Sequence, residues 1–522
     1  MIFYPRGFDP LPKSRLNLKT GSYQLDQTNM LDLPSLQSLF FSRIKETSSL
    51  FDQSVLQFFE KNDSPPPEIL DECQWHNPLL SEEKSIKNWQ RLLAVNLFCH
   101  LSDSFRVEIG RKVREFGRHP WNQSSQYFRS LIALNHALAK MPVPEVGPHL
   151  LESGAALIDL HEYCPWLSLP YTPQHFEFGI YLCMLAFITK RDDLKDNVLR
   201  IANWQLNTLD LDGKPLCGLF VRENEGSALQ HVCLNYLLFR SAALLSEETP
   251  FAALAERSLQ NIQSYAEKED QPIDVLWILI EKWLDQYRVV SQAPLELSEN
   301  IHDTSTALVG YRSPSQHVVC TLHGAHTGLG ELHFGDIAIV NYGPQYLPLG
   351  ECKGFGIEGN ALSDHGIRRS TIESSRGAFI LKGCTRMVDQ PSSSLFGIGD
   401  FRGIWLEVVQ EFKRPHFYLK TTFLGLDGWE SVAFSFFINA KECNINSQTI
   451  KQRTLHQYDG EAQTLILEGN EQELELRPLS FKGRMQVIPL AGGNVFWGAD
   501  FLVSYLMNHD QRHYQWHIGP PR

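Results

Sequence analysis

The sequence predicts two segregated domains, an N-terminal domain of helical hairpins and a C-terminal antiparallel β-sandwich. Three observations lead there. Apolar residues recur at helical spacing as far as about residue 295, short β-branched and aromatic runs replace them after about residue 300, and the breaks between runs shift to Gly, Asp and Asn. A block of helices followed by a block of strands packs as separate layers, because each kind of element buries its apolar face against its own kind.

In chain order, the helical spacing runs through 33–60, 82–116, 123–140, 149–160, 175–189, 193–206, 227–245, 251–267 and 272–287. Short punctuators such as SPPP at 64–67 and MPVPEVGP at 141–148 separate these stretches. About nine helices with short connections imply antiparallel hairpins, and a string of hairpins can close into a bundle, a solenoid or an α/α toroid, the solenoid being weakened by the lack of a fixed-period repeat. The apolar run Phe178 to Thr189 follows Glu177 directly and is shorter than the roughly 20 residues that cross a bilayer. It reads as a buried helix. The segment from Arg288 to Asp303 reads as the linker, with domains over 1–295 and 300–522.

The second half offers strands at 316–322, 336–342, 377–382, 403–412, 416–424, 432–438 and 463–467. FYLKTTF and ELELRPL alternate as strands with one wet face do, whereas IAIV and AFSFFI suit strands buried on both faces. Many strands in one block indicate a sandwich.

Composition narrows the function. Lys and Arg number 47 against 60 Asp and Glu, a formal charge of −13, with no basic block. This excludes a nucleic-acid or anionic-membrane surface, since phosphate binding needs concentrated positive charge. Ten cysteines lie scattered without a C-x-x-C pair and read as reduced core residues. The N-terminal stretch has no apolar core of a leader, which predicts a cytoplasmic protein. The G-x-G-x-x-G at 354–359 lacks a following apolar helix to receive a pyrophosphate, and no phosphate-loop, zincin or nucleophile-elbow motif occurs. No cofactor is predicted.

The run from Leu322 to Gly343, with His323 and His326 in a glycine-rich turn, Glu331 and Leu332 in a strand and Asn341 in the next, resembles the start of the β-domain in the heparinase II/III-like polysaccharide lyases. The helix-then-strand order matches that family's toroid and sandwich. Two helical fragments extend the resemblance. Gln174-His175 stands where the family has an Asn-His pair, and Glu225-Gly226-Ser227-Ala228-Leu229-Gln230-His231, after Asp212-Gly213, stands where it has a segment ending in Tyr-His. The resemblance places Gln174 at the carboxylate-binding Asn, Gln230 at the catalytic Tyr, and His231 and His323 at matching histidines.

A uronate lyase must neutralise the sugar carboxylate, remove the acidified C5 proton and protonate the departing oxygen. Gln174, one methylene longer than Asn, can donate to a carboxylate, and His175 stands beside it. A Gln amide has no usable proton-transfer pKa, so Gln230 keeps only a binding role. His231, His323 and Tyr236 are the candidate acid/base groups, each also readable as a cap, turn or core residue. Arg368 and Arg369, near Arg376, Lys382 and Arg386, offer charge for glycan carboxylates or sulfates; a solvated strand face is the alternative. The family's zinc ligands fall here on Ala325 or His326, on Asn341 and within 369–376, where a carboxylate and a histidine are missing, so no metal is predicted. A new cluster of His326, His333 and His365 is the remaining metal possibility.

The expected activity is β-elimination on an acidic polysaccharide or oligosaccharide, with no nucleic-acid or membrane partner and an open oligomeric state. A catalytically inactive glycan-binding or scaffolding descendant is the alternative. A glycoside hydrolase would need two carboxylates across a cleft, from Glu162, Glu177 and Glu225.

Overall fold

A computed structural model describes residues 36–37, 49–61, 65–75, 82–118, 125–147, 150–156, 173–216, 218, 228–246, 250–266, 273–287, 297–322, 328–346, 360–362, 370–388, 405–425, 432–490, 498–508 and 510–521. Its longer helices are α1 (Leu50–Lys61), α2 (Glu82–Leu101), α3 (Arg106–Phe116), α4 (Gln126–Leu138), α5 (Pro173–Thr189), α6 (Asp192–Gln205), α7 (Ala228–Ala243), α8 (Phe251–Ala266) and α9 (Val275–Leu284). Packing follows a cycle: α2 against α4, α4 against α5, α5 against α7, α7 against α9, and α9 back against α2. Three further helices pack against this cycle, α3 beside α2 and α4, α6 beside α5 and α7, and α8 beside α7.

Composition sorts the two layers. Ring helices are apolar nearly all round, as in α5, where Phe176 to Ala186 is buried without a break, and in α9, where Leu276 to Leu284 is buried apart from partly exposed Lys282. The outer helices bury one stripe, such as Ile109, Val113 and Phe116 of α3 or Leu254, Leu259 and Ile262 of α8. This closed α/α arrangement agrees with the toroid expected from the sequence.

Two expectations about helices are corrected. The stretch 82–116 is two helices, not one, because the chain turns through left-handed backbone at Asp103 (φ 54°) and Phe105 (φ 52°). The stretch 149–160 is not a helix where it is described. Leu150 and Ala156 form an antiparallel bridge around a turn in which Gly154 (φ 96°) passes so close to Arg200 that a Cβ would meet its carbonyl oxygen at 2.4 Å. Apolar spacing could not reveal that approach.

The second half is a two-sheet antiparallel sandwich. One sheet runs β1 (Asn300–Asp303), β2 (Leu308–Ser313), β3 (Gln316–Thr321), β4 (Gly330–Phe334), β5 (Ile337–Tyr346), β11 (Val432–Asn439), β18 (Phe501–Leu506), β17 (Arg484–Pro489) and β14 (Tyr458–Glu461). The other is ordered β13 (Gln448–Lys451), β12 (Glu442–Ile445), β15 (Leu465–Glu468), β16 (Glu473–Ser480), β19 (His513–Gly519), β10 (His416–Leu424), β9 (Trp405–Lys413), β8 (Ala378–Val388) and β6 (Asn360–Leu362), with β7 (Thr371–Ser375) also on β8. One core fills the space between the sheets, including Val318, Cys320, Leu332 and Phe334.

The first sheet is buried on both faces at β2 to β4, whereas β1 at its edge exposes Asn300 and His302. Val318 and Cys320 point into the sandwich, while alternate residues Leu308 and Val319, with Ile301, belong to the helical core. The second sheet has a wet face, visible in β10 as the alternation of buried Phe417, Leu419, Thr421 and Phe423 with more open neighbours. Cys73, Cys99, Cys183, Cys233, Cys320, Cys384 and Cys443 are free thiols. Among the described residues, no helix is long and apolar enough to cross a membrane.

Candidate functional site

Gln174 and His175 lie in the first turn of α5, and Gln230 and His231 in the first turn of α7. Proline is tolerated at the start of α5 because the N–H it lacks has no intrahelical partner there. Gln174 and Gln230 are half-buried; His175 and His231 are buried behind them. The Phe176 and His231 rings lie 6.2 Å apart, which sets the two first turns side by side. Helix N-termini carry partial positive charge, so this corner of the ring favours an anion.

His175 is wholly enclosed. Its Nε2 accepts the Ala156 N–H at 3.2 Å, and its ring meets Trp204 edge-on at 4.9 Å. Burial pushes its pKa down to about 3, with a Gln205 hydrogen bond acting the other way, so the imidazole is neutral at pH 7. Trp204 in turn donates from Nε1 to Asp303 Oδ2 at 2.8 Å, tying the end of α6 to β1.

Tyr236 belongs to another group. It is buried, its hydroxyl donates to Glu281 Oε1 at 2.8 Å, and Arg240 Nη1 donates to that hydroxyl at 2.7 Å. Burial first, and the Glu281 charge second, push the phenol pKa well up. Glu281 also receives the N–H groups of Leu36 (3.3 Å) and Gln37 (3.1 Å). The phenol therefore braces α7, α9 and the 36–37 segment.

One turn after Gln174 on α5, Glu177 is buried and accepts from Tyr127 Oη at 2.5 Å and from Gln90 Nε2 at 3.1 and 3.3 Å. Tyr127 stacks on Tyr181 at 5.9 Å, and its own pKa is raised by burial and then by Glu177. Tyr127 and Gln90 had no sequence signal, since they read as parts of ordinary buried helices.

His323, Arg368 and Arg369 lie outside the described residues, as do His326, His365, Glu162, Glu225 and the glycine motif at 354–359. In the neighbouring basic stretch, Arg376 is exposed in the β7–β8 turn, and Lys382 pairs with Glu373 at 3.8 Å.

Beside the apolar Leu308 and Val319, the helix-facing side of the first sheet carries a polar group of Arg312, His317, Glu331, His333 and Asn341. Gly218, in the α6–α7 connection, donates its N–H to Glu331 Oε2 at 2.9 Å and accepts from Asn341 Nδ2 at 2.7 Å through its carbonyl. A Cβ there would fall 1.5 Å from the Val340 carbonyl oxygen, so only glycine fits. Asn341, where the resemblance would put a zinc-binding Asp, is engaged in this contact. Arg312 is buried with its guanidinium on the carbonyls of Ser298 (2.9 Å), Leu206 (2.8 Å) and Leu209 (2.7 Å); burial brings its pKa down to about 10. Beside it, His317 and His333 stack at 4.1 Å, and His333 Nε2 lies 2.5 Å from Glu331 Oε1. Of the histidine cluster considered from sequence, His333 is present, but its partners here are His317 and Glu331. Burial, His333 and Arg312 hold the His317 pKa well below the usual histidine range.

No known family and no curated protein is matched by this sequence. Solved structures are. The chain is similar to a xanthan lyase from Paenibacillus, with a TM-score of 0.50 and 10% identity over 93% of this chain and 53% of that one. The fold is shared with a polysaccharide lyase. A chondroitin AC lyase from Streptomyces coelicolor A3 also matches, with a TM-score of 0.45 and 11% identity over 93% of this chain and 73% of that one. The chain spans about half the length of the xanthan lyase, and at this identity the likeness is one of architecture.

Proposed function

We propose that the chain is a carbohydrate-active, lyase-like protein, akin to the heparinase II/III-like lyases, that takes a uronic-acid-containing polysaccharide or oligosaccharide. The reading rests on the paired first turns of α5 and α7, where the half-buried carboxamides of Gln174 and Gln230 stand on neighbouring positive helix ends. Amide N–H donors there suit a carboxylate, with His175 next to Gln174 in the chain. Arg368 and Arg369 supply charge to flanking carboxylates or sulfates.

In the reaction, a base takes the C5 proton, the electron pair forms the C4–C5 double bond, the C4–oxygen bond breaks, and the departing oxygen gains a proton. Carboxamides stabilise the charge but move no proton. His323, on the β3–β4 connection, is the proposed base, and His231 the second proton carrier. Tyr236 is the third candidate from sequence; its hydroxyl is committed to Glu281 in this structure.

The test is ultraviolet absorbance of the unsaturated uronate during incubation with heparin, heparan sulfate, chondroitin, hyaluronate, alginate and xanthan. The expected outcome is a rise on one of them, reduced by about 100-fold or more in His323→Ala, the usual contribution of a general base. A second reading, a non-catalytic glycan-binding protein, is favoured by the burial of His175 and His231 and by glutamine at position 230. A flat trace from folded protein that still binds one of these glycans by calorimetry would establish that reading instead.

A further inference from the structure

We propose that His317, Glu331 and His333 form a binding site for a divalent transition metal of the zinc class, on the face of the first sheet that looks toward the helices. The site is built by strand register. In the β3–β4 pair, His317 stands directly opposite His333 and Val319 opposite Glu331. Residues two apart on a strand share a face, so both imidazoles and the carboxylate project from one side of the sheet. One ligand atom from each residue lies within 4.8 Å of the other two. His317 is 9% exposed, and its Nε2 is a buried ring nitrogen with no hydrogen bond. Buried polar atoms in folded proteins are nearly always partnered, so an unpartnered imidazole nitrogen on a side chain beside a carboxylate and a second imidazole calls for a ligand.

The donor set selects the ion. Two imidazoles and one carboxylate match sites that hold Zn²⁺ with three protein ligands and an open fourth position. Ca²⁺ and Mg²⁺ prefer all-oxygen shells and are poorly served here. The outer contact is also present: Glu331 Oε2 takes the Gly218 N–H, which orients the carboxylate while Oε1 faces His333. Arg312, across the strand pair from His317, has its guanidinium on three carbonyl oxygens. None of the three ligands is a position where the family resemblance would place zinc. Through Gly218, a bound ion would fasten the α6–α7 connection, and so the approach to Gln230, onto the sheet.

The experiment uses the full chain, stripped of metal and titrated with Zn²⁺ by calorimetry and with Co²⁺ by visible absorption. The expected result is one ion per chain, d–d bands without thiolate charge transfer, and at least ~100-fold weaker binding in His333→Ala and Glu331→Gln, since loss of a ligand should cost no less than loss of an outer-shell partner. His333, whose side chain is 28% exposed, is the safer substitution for folding; a Zn²⁺-induced rise in melting temperature should disappear with it. No binding by the folded wild type, unchanged affinity in the folded His333→Ala variant, or a thiolate band with Co²⁺ would each overturn the proposal.

Discussion

The helical ring and the first sheet both bury histidines, and they do so to different ends. His175, on a helix, has one ring nitrogen on the Ala156 N–H and its face against Trp204, so it works as a neutral strut. His317 and His333 stand opposite each other on neighbouring strands, His333 against the Glu331 carboxylate and His317 with an unpartnered ring nitrogen beside both. A helix turn sends successive side chains about 100° apart, whereas a strand pair stacks like residues side by side. The same side chain thus becomes a strut or a ligand according to the element that carries it.

The sharpest way to break this contrast is to remove the residue that holds the sheet's polar face to the helical half. Arg312→Ala should destabilise the fold by about 3–5 kcal/mol, because three buried carbonyl oxygens lose a charged donor. Urea denaturation would measure it, and a loss below about 1 kcal/mol would show that water replaces the guanidinium.

A pH series tests the strut. His175 titrates near 3 in the fold against an ordinary 6.5, so the unfolded chain takes up a proton first as pH falls. Its contribution is complete above about pH 6.5 and is lost progressively toward pH 3. His175→Gln, which can still accept from Ala156, should flatten the decline in melting temperature by several kcal/mol equivalent over that window; parallel curves for the two proteins would refute it. The smallest expected effect is at the neighbouring tie. Trp204→Phe keeps the ring but removes one of the two donors to Asp303 Oδ2, leaving the Thr306 hydroxyl at 2.6 Å, for a loss of about 1 kcal/mol in the same denaturation experiment.

Local pattern made some of this legible. The change of period near residue 295, the unbroken burial of α5 and the two-sided burial of β11 all follow from spacing and composition, which a single strand or helix displays by itself. The break at Asp103 and Phe105 and the bridge at Leu150 and Ala156 did not, because each depends on backbone that tertiary contacts impose. The family resemblance alone pointed to the starts of α5 and α7 together; nothing in the spacing of Gln174 and Gln230 brings two helix starts side by side. His326 and His365, the partners the sequence suggests for His333, lie outside the described residues, while antiparallel register brings it His317 and Glu331. Pairing register is fixed by the whole sheet and leaves no mark within a short motif.

The ring of helices closes between α2 and α9, its first and last members. During synthesis, Trp89, Leu92, Leu93 and Phe98 emerge long before the segment that ends at Leu284. At ribosomal speeds of about 5–20 residues per second, the wait is on the order of 10 to 35 seconds. For that time the opening helix has an apolar flank and no final neighbour, so the nascent chain is a natural client for a chaperone that shields one helix until the circle can shut.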